Sequence, residues 1–371
     1  MVCFKILIGV IIPARSTWRR MSSALILLFF IAGCNLSKDG NLPPTNEIPS
    51  TQTGSGWYSV YFTQPGAPNA ETLRGGPDAA LAEAIREANL GVDIAMDTLD
   101  LWSIRDAVID ADRRGVRVRV VVESDNLDEP EVQDLVQVGI EVLGDRREGM
   151  MHNKFAILDR QEVWTGSMNF TLNGAYRSDN NLIRIRSARL AEDYLVEFEE
   201  MFVDDQFGPG SPADTPYAKL QIDGTPVEVY FSPDDSVRQQ LVDLIGGARQ
   251  SIYFLAYSFT SDVLVEAILE RAAAGVTIAG VLDESQAHGN QGGEYQRMVE
   301  SGLDVRLDGN PVSMHHKVLI IDDRIVVTGS YNFSQNAETR NDENTLILYS
   351  PEIAELYMAE FERVFELAEP Y

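Results

Sequence analysis

The sequence predicts an α/β fold in which one unit is written twice, with mixed, mainly buried sheets. Three observations carry this. The string Met151-His152-Asn153-Lys154-Phe155-Ala156-Ile157-Leu158-Asp159 recurs as Met314-His315-His316-Lys317-Val318-Leu319-Ile320-Ile321-Asp322. Around both copies, apolar runs of strand length alternate with segments of helical periodicity, which implies layers of helices on a largely buried sheet. The 371 residues are 44% hydrophobic and 23% charged, a globular profile that excludes wholesale disorder, collagen and coiled coil. Cys3 and Cys34 are the only cysteines, which excludes a disulfide scaffold.

Taken in order, residues 1–33 carry Lys5, Arg15, Arg19 and Arg20 and no acid. The apolar run Ala24–Ala32 and Gly33-Cys34 follow. That is the layout of a bacterial export signal, and nine apolar residues fall far short of the ~20 a membrane span needs. Ile31-Ala32-Gly33-Cys34 resembles the lipobox of bacterial lipoproteins. The resemblance implies cleavage before Cys34, acylation of its sulfur and a lipid-anchored place in the bacterial cell envelope. Asn35 after the cysteine points to the outer membrane where the organism has one. Residues 34–56, rich in Asn, Pro, Ser, Thr and Gly, read as a flexible tether.

The first half then occupies 57–203. It reads as helix Pro77–Ala88, strand Val92–Met96, helix Ile104–Arg114 and strand Val116–Glu123. Residues 204–217, with three prolines and two glycines, form the seam between halves. The second half, 218–371, repeats the order: strand Val227–Phe231, helix Val237–Ala248, strand Ser251–Tyr257, helix Val263–Ala274 and strand Val276–Asp283. Short strands Lys317–Ile321 and Ile325–Thr328 flank the turn Asp322-Asp323-Arg324. Pro351–Leu367 closes the chain as an amphipathic helix with Ile353, Leu356, Tyr357, Phe361 and Phe365 on one side.

Each copy of the motif reads His-x-Lys-x4-Asp, and six residues later Gly-Ser-x-Asn: Gly166-Ser167-Met168-Asn169 and Gly329-Ser330-Tyr331-Asn332. On a strand, His152 and Lys154 project to one face, as do His315 and Lys317. Two such faces brought together surround one cavity with two imidazoles, two ammoniums, two hydroxyls and two amides. The set holds no metal-binding carboxylate cluster and calls for no cofactor. It suits a phosphodiester: a neutral imidazole attacks phosphorus, an imidazolium protonates the leaving oxygen, and Lys154, Lys317, Ser167, Asn169, Ser330 and Asn332 stabilise the remaining oxygens. Three of the four histidines, His152, His315 and His316, sit in the motifs. His316 belongs on the opposite strand face as a bystander, and His288 in a loop. Met150, Met151, Met314, Trp102, Phe259 and Tyr331 are either an apolar lip or core. Gly166 and Gly329 mark turns or close approaches.

The doubled motif resembles the phospholipase D superfamily, over essentially all of residues 57–371. The resemblance implies a pseudo-twofold α/β/α/β/α sandwich with one active site at the interface of the halves, a phosphohistidine intermediate and its release by water or an alcohol. His152, Lys154, Ser167 and Asn169 serve from one side, and His315, Lys317, Ser330 and Asn332 from the other. Asp159 and Asp322 are structural. In the family a downstream carboxylate supports its histidine. Glu343, 21 residues after Asp322, fits that role for His315, whereas the equivalent place after Asp159 is Asn180, with Asp179 facing away. Local support therefore favours His315 as nucleophile and family habit favours His152. We take His152 as nucleophile and His315 as acid.

The formal charge is −27, and about −31 without the four bases of residues 1–33. Such a surface repels a polyanion, although salt screens the effect beyond ~8–10 Å. This ranks a membrane phospholipid, cleaved to phosphatidate, above nucleic acid as substrate. An extracytoplasmic nuclease and a phosphatidyltransferase are the alternatives. Because one chain supplies both motifs, a monomer suffices.

Overall fold

In the computed structural model, residues 53–289 and 292–369 are described. The expected leader, the expected acylation site at Cys34 and most of the expected tether lie outside them. Residues 53–54, assigned to the tether by sequence, instead form an edge strand, because their backbone pairs with residues 59–60. No helix among the described residues is long and apolar enough to cross a membrane.

The first half contributes β1 (Thr53–Gly54), β2 (Tyr58–Phe62), β3 (Gly91–Met96), β4 (Arg117–Val122), β5 (Glu141–Gly144), β6 (Phe155–Leu158), β7 (Glu162–Gly166) and β8 (Asn181–Arg186). The second contributes β9 (Lys219–Ile222), β10 (Thr225–Ser232), β11 (Ser251–Ala256), β12 (Thr277–Leu282), β13 (Asp304–Leu307), β14 (Lys317–Ile321), β15 (Ile325–Gly329) and β16 (Glu343–Leu348). The sheet orders are β1-β2-β8-β7-β6-β3-β4-β5 and β9-β10-β16-β15-β14-β11-β12-β13, the same path twice. Each sheet is mixed: β3, β4 and β5 run parallel through helical crossovers, as do β11, β12 and β13, while the other pairings are antiparallel.

Helices Pro77–Glu87 and Trp102–Arg113 cover the outer face of the first sheet, and Val237–Gly246 and Asp262–Ala273 that of the second. Between the sheets lie helices Ala188–Phe202 and Pro351–Leu367. Tyr194, Phe198 and Met201 share one core with Ile353, Tyr357 and Phe361, and with Val60, Ile183, Val229 and Leu346 from the two sheets. Spacings of four and three residues in the first set, and of four and four in the second, put each on one helical stripe. Ser187 and Ser350 cap these helices at the amides of Leu190 and Ile353, and Pro351 starts the second. The result is α/β/α/β/α about a pseudo-twofold axis.

The predicted elements agree with the structure to within about two residues at each end. Pairing partners explain what the sequence pattern missed. β5, β9 and β13 are four-residue edge strands, too short to show a period. Helix Ala188–Phe202 is the counterpart of Pro351–Leu367, and of the two the sequence pattern predicts only the second. His152 and Lys154 precede β6 instead of lying in it, and His315 likewise precedes β14.

The aspartates that end the two motifs hold the fold. The Asp159 carboxylate accepts from the amides of Asn89, Leu90 and Gly91, and that of Asp322 from Arg249, Gln250 and Ser251. Both sit in the left-handed region at φ 54° and 52°. The seam breaks the symmetry. Phe207 enters the core between the sheets, and the Gly208 amide donates to Asp342 (2.5 Å). At the pseudo-equivalent place Asp179 takes Asn310 and Arg363 instead, beside a cavity of about 530 Å³ lined by Pro65, Leu73, Val312, Val364 and Leu367.

Candidate active site

Each half delivers its histidine on an extended segment that bridges to the other half. Met151 bridges Asp342, and the His152 amide donates to the Asp342 carbonyl (3.0 Å). Asp179 bridges Met314, and the His315 amide donates to the Asp179 carbonyl (2.9 Å). Two carboxylates fix these segments: Glu123 accepts from the Met151 amide (2.8 Å) and Asp283 from the Met314 amide (3.1 Å).

The histidine supports are exchanged between halves. His152 Nδ1–H donates to Glu343 Oε2 at 2.8 Å, a fully buried carboxylate from the second half. His315 Nδ1–H donates to Asn180 Oδ1 (3.0 Å) and to the Ser167 carbonyl (3.1 Å) of the first half. This corrects the sequence expectation that Glu343 serves His315. The halves cross, so a carboxylate following one motif reaches the histidine of the other. Each arrangement commits the Nδ1 proton and leaves Nε2 as the reactive nitrogen.

The lysines lie beneath, each only 1% exposed. Lys154 Nζ donates to the His152 carbonyl and Lys317 Nζ to the His315 carbonyl, both at 2.7 Å. Lys154 also faces Asp97 (3.5 Å), whereas Lys317 lies over the Tyr257 ring (4.8 Å). Burial lowers the Lys154 pKa, opposed by Asp97 and Glu343. Burial and Lys154 lower that of Lys317 well below the ordinary value. Burial, then Lys317, Lys154 and His152, also push His315 well below the usual histidine range. An anion entering this cluster would relieve all three.

The serines sit one layer down and are wholly buried. Ser167 Oγ donates to Asn180 Oδ1 (2.9 Å) and accepts from the Asn181 amide (3.1 Å). Ser330 Oγ accepts from the Asn344 amide (3.0 Å). They therefore brace the histidine supports. Asn169 and Asn332 are half-buried, and their Oδ1 atoms have no partner among the described residues.

Asn181 and Asn344, which the sequence reading did not single out, stitch the interface symmetrically. Asn344 Oδ1 accepts from Thr165 (2.7 Å) and Tyr194 (3.1 Å), and Asn181 Oδ1 accepts from Thr328 (2.7 Å) and Tyr357 (3.1 Å). Their Nδ2 groups reach Asn153 Oδ1 (2.9 Å) and His316 Nδ1 (3.0 Å). The signal was present: both follow the support residue in matched copies. His316, with Nε2–H on Glu360 (3.0 Å), is thus an interface residue. Gly166 (φ 148°) and Gly329 (φ 142°) are close approaches. A Cβ there would lie 2.4 Å from the Asn181 carbonyl oxygen and 2.2 Å from that of Asn344. Met151, Met314, Phe259 and Tyr331 are core, while Met150 and Trp102 are about two-fifths exposed. His288 lies in helix Glu284–Gly289, against the Tyr295 ring. Asp179 points to Arg363 and Asn310, away from the histidines. Among the described residues no group of three His, Cys, Asp or Glu is placed to hold a metal ion.

The family model "Cardiolipin synthase, PLD-like domain" matches residues 81–202 and 241–365, once in each half. A mitochondrial cardiolipin hydrolase of Chlamydomonas reinhardtii is 28% identical over 137 residues, which are 37% of this chain and 61% of that protein. A phospholipase D of Rickettsia bellii is 31% identical over 142 residues, 38% of this chain and 70% of that protein. The crystal structure of a phosphatidylserine synthase from Haemophilus influenzae superposes with a TM-score of 0.60 at 17% identity, covering 84% of this chain and 87% of that one, a likeness of fold. With a model matched across both halves and two complete motifs meeting at their interface, the chain belongs to the family of phospholipase D-like proteins.

Proposed function

We propose that the protein is a phosphodiesterase of phospholipase D type that cleaves the head group of a membrane phospholipid, leaving phosphatidate, through a phosphohistidine. The observation that carries this reading is the 2.8 Å bond from His152 Nδ1–H to the buried Glu343. The carboxylate fixes the tautomer with a lone pair on Nε2 and stabilises the positive charge that imidazole gains on attacking phosphorus. His152 is the nucleophile. His315, whose Nδ1–H meets neutral acceptors, is the better acid because no carboxylate holds its proton.

In the first step His152 Nε2 forms a bond to phosphorus, the bond to the leaving oxygen breaks, and that oxygen takes the Nε2 proton of His315. In the second, His315 receives a proton from water, the hydroxide oxygen bonds phosphorus, and the P–N bond breaks. Lys154, Lys317, Asn169 and Asn332 stabilise the non-bridging oxygens, and Ser167 and Ser330 act through the residues they brace.

A lipid substrate is supported by the acidic charge of −27 and by relatives named phospholipase D and cardiolipin hydrolase. The location rests on the leader and on Cys34, as a lipid-anchored envelope protein acting as a monomer. The test is head-group release from phosphatidylcholine, phosphatidylethanolamine and phosphatidylglycerol vesicles in chelator, beside cleavage of single- and double-stranded DNA. Lipid turnover with transfer to a primary alcohol supports the reading. DNA cleavage without lipid turnover overturns the substrate, and loss of activity in chelator overturns the metal-free chemistry.

A further inference from the structure

The two halves differ at one position inside the catalytic cluster. β3 and β11 are equivalent strands, Ala95 opposite Phe155 in one and Leu255 opposite Val318 in the other. The residues one step beyond their ends are therefore equivalent: Asp97 and Tyr257. Asp97 is 6% exposed. Its Oδ2 faces Lys154 at 3.5 Å, and its Oδ1 has no partner among the described residues. Tyr257 is half-buried and meets the His315 ring edge to face at 4.5 Å. It lies under Lys317, and its hydroxyl takes a bond from Gln286 (3.1 Å).

This difference has the same sense as that between Glu343 and Asn180. Both carboxylates face the His152–Lys154 pair, while His315 and Lys317 meet an amide and an aromatic ring. Asp283 also acts on Lys317 and Tyr257, and it is committed to the Met314 amide, the Ser285 hydroxyl and the Gln286 amide.

We propose that Tyr257 is the positioning residue for the leaving group, and that Asp97 and Tyr257 together make the site accept a phosphodiester in one orientation only. The retained ester lies toward Asp97 and the departing alcohol toward Tyr257. The inference rests on the proposed histidine chemistry and is independent of whether the substrate is a lipid. The ring excludes water from the side where the leaving oxygen takes its proton. It also keeps that side free of a carboxylate that would hold the proton on His315. The groups facing His315 are then Lys317, Lys154, His152, Tyr257, Asn180 and the Ser167 carbonyl.

The test exploits leaving-group acidity. 4-Nitrophenolate departs without a proton, whereas phenolate requires one. Ethyl 4-nitrophenyl phosphate and ethyl phenyl phosphate are turned over by the full chain and by variants. Tyr257→Asp is expected to depress the phenyl ester at least tenfold more than the nitrophenyl ester. It should also move the basic limb of kcat/KM upward by about a unit, as a carboxylate beside an imidazole does. Tyr257→Phe keeps the wild-type ratio of the two esters, and Asp97→Asn lowers both by a common factor. Tyr257→Leu carries the ratio measurement if the aspartate variant does not fold, again with the phenyl ester falling further. Equal loss on both esters in the Tyr257 variants, or a selective phenyl loss in Asp97→Asn, overturns the proposal. Turnover of the aryl esters by a protein inert on phosphatidylcholine, phosphatidylethanolamine and phosphatidylglycerol vesicles alike overturns the lipid reading and leaves the orientation standing.

Discussion

His152 takes its supporting carboxylate, Glu343, from the opposite half of the chain, 191 residues away, at 2.8 Å. The duplicated motif thus does not build two sites side by side. Each half completes the other's histidine, and the active site exists only when both are folded and joined. Glu343→Gln keeps an acceptor on Nδ1 but removes the charge that stabilises the imidazolium-like state. We expect kcat to fall by about 10²–10⁴, the scale of comparable substitutions elsewhere. Steady-state kinetics against a matched His315→Ala variant checks this, and near-wild-type turnover in Glu343→Gln would refute the role.

A rapid quench of the turning-over enzyme should trap the phosphatidyl group, bonded through its phosphorus, on His152 in the peptide containing Met151–Asp159. Label on the His315 peptide would reverse the assignment of nucleophile and acid. His152→Ala and His315→Ala should each abolish turnover, since the halves share one site.

How much of this was legible depended on whether the signal was local. The His-x-Lys-x4-Asp strings, the Gly-Ser-x-Asn strings and most strands and helices announced themselves through spacing alone. The exchange of Glu343 and Asn180 did not, because spacing ties a carboxylate to the nearest motif in sequence, whereas the pseudo-twofold axis hands it across. Asp97 and Tyr257 were invisible for a related reason. They lie some 55–60 residues before their lysines and become neighbours only when β3 pairs with β6 and β11 with β14. Spacing alone sets Ser167 and Ser330 beside the phosphate oxygens, whereas the backbone of the glycine turns buries both hydroxyls beneath the histidines, against Asn180 and the amides of Asn181 and Asn344.

The interface asparagines offer a clean measure of how tightly the halves are joined. Tyr194→Phe removes one donor to Asn344 Oδ1, which keeps Thr165 as partner. A loss of about 0.5–1.5 kcal/mol is expected by denaturant unfolding. Asn344→Leu strands the partners of both ends and should cost several kcal/mol. Equal effects from the two substitutions would argue against a network.

The motif aspartates should separate stability from catalysis. Asp322→Ala releases the amides of Arg249, Gln250 and Ser251, and with partial solvent exposure of that turn a loss of about 1–3 kcal/mol follows. The backbone amides hold the carboxyl below its ordinary pKa despite some burial. That contribution is therefore complete above the unfolded pKa of ~3.9 and fades as pH falls through the lower folded value. Turnover per folded molecule should stay within a few-fold of wild type. A collapse of kcat at unchanged unfolding midpoint would give Asp322 a catalytic part.

The opposite pH dependence is built into the seam. Glu197 and Glu200 on the first central helix are the pseudo-equivalents of Glu360 and Arg363 on the second. Arg363 neutralises Glu360 and Asp179, and Glu360, though buried, is held below its ordinary pKa by Arg363 and His316. With Glu200 in the arginine's place, no Lys or Arg among the described residues bridges Glu197, Glu200 or Asp342. Burial and neighbouring acids push Glu200 up to about 9 and Asp342 to about 8, and raise Glu197 well above the carboxylate range. A carboxyl whose folded pKa is raised stabilises fully below its unfolded pKa of ~4. That stability is lost as pH climbs through the folded value. The unfolding temperature is therefore expected to be highest near pH 5 and to fall steadily toward pH 9. Glu200→Gln should raise the pH 8 midpoint and flatten the profile, and Glu200→Arg, which copies the other half, should raise it further by pairing with Glu197 and Asp342. Differential scanning across pH 5–9 reads all three. A wild-type midpoint that rises with pH over that window would show that these carboxyls are ionised at no cost in the folded chain.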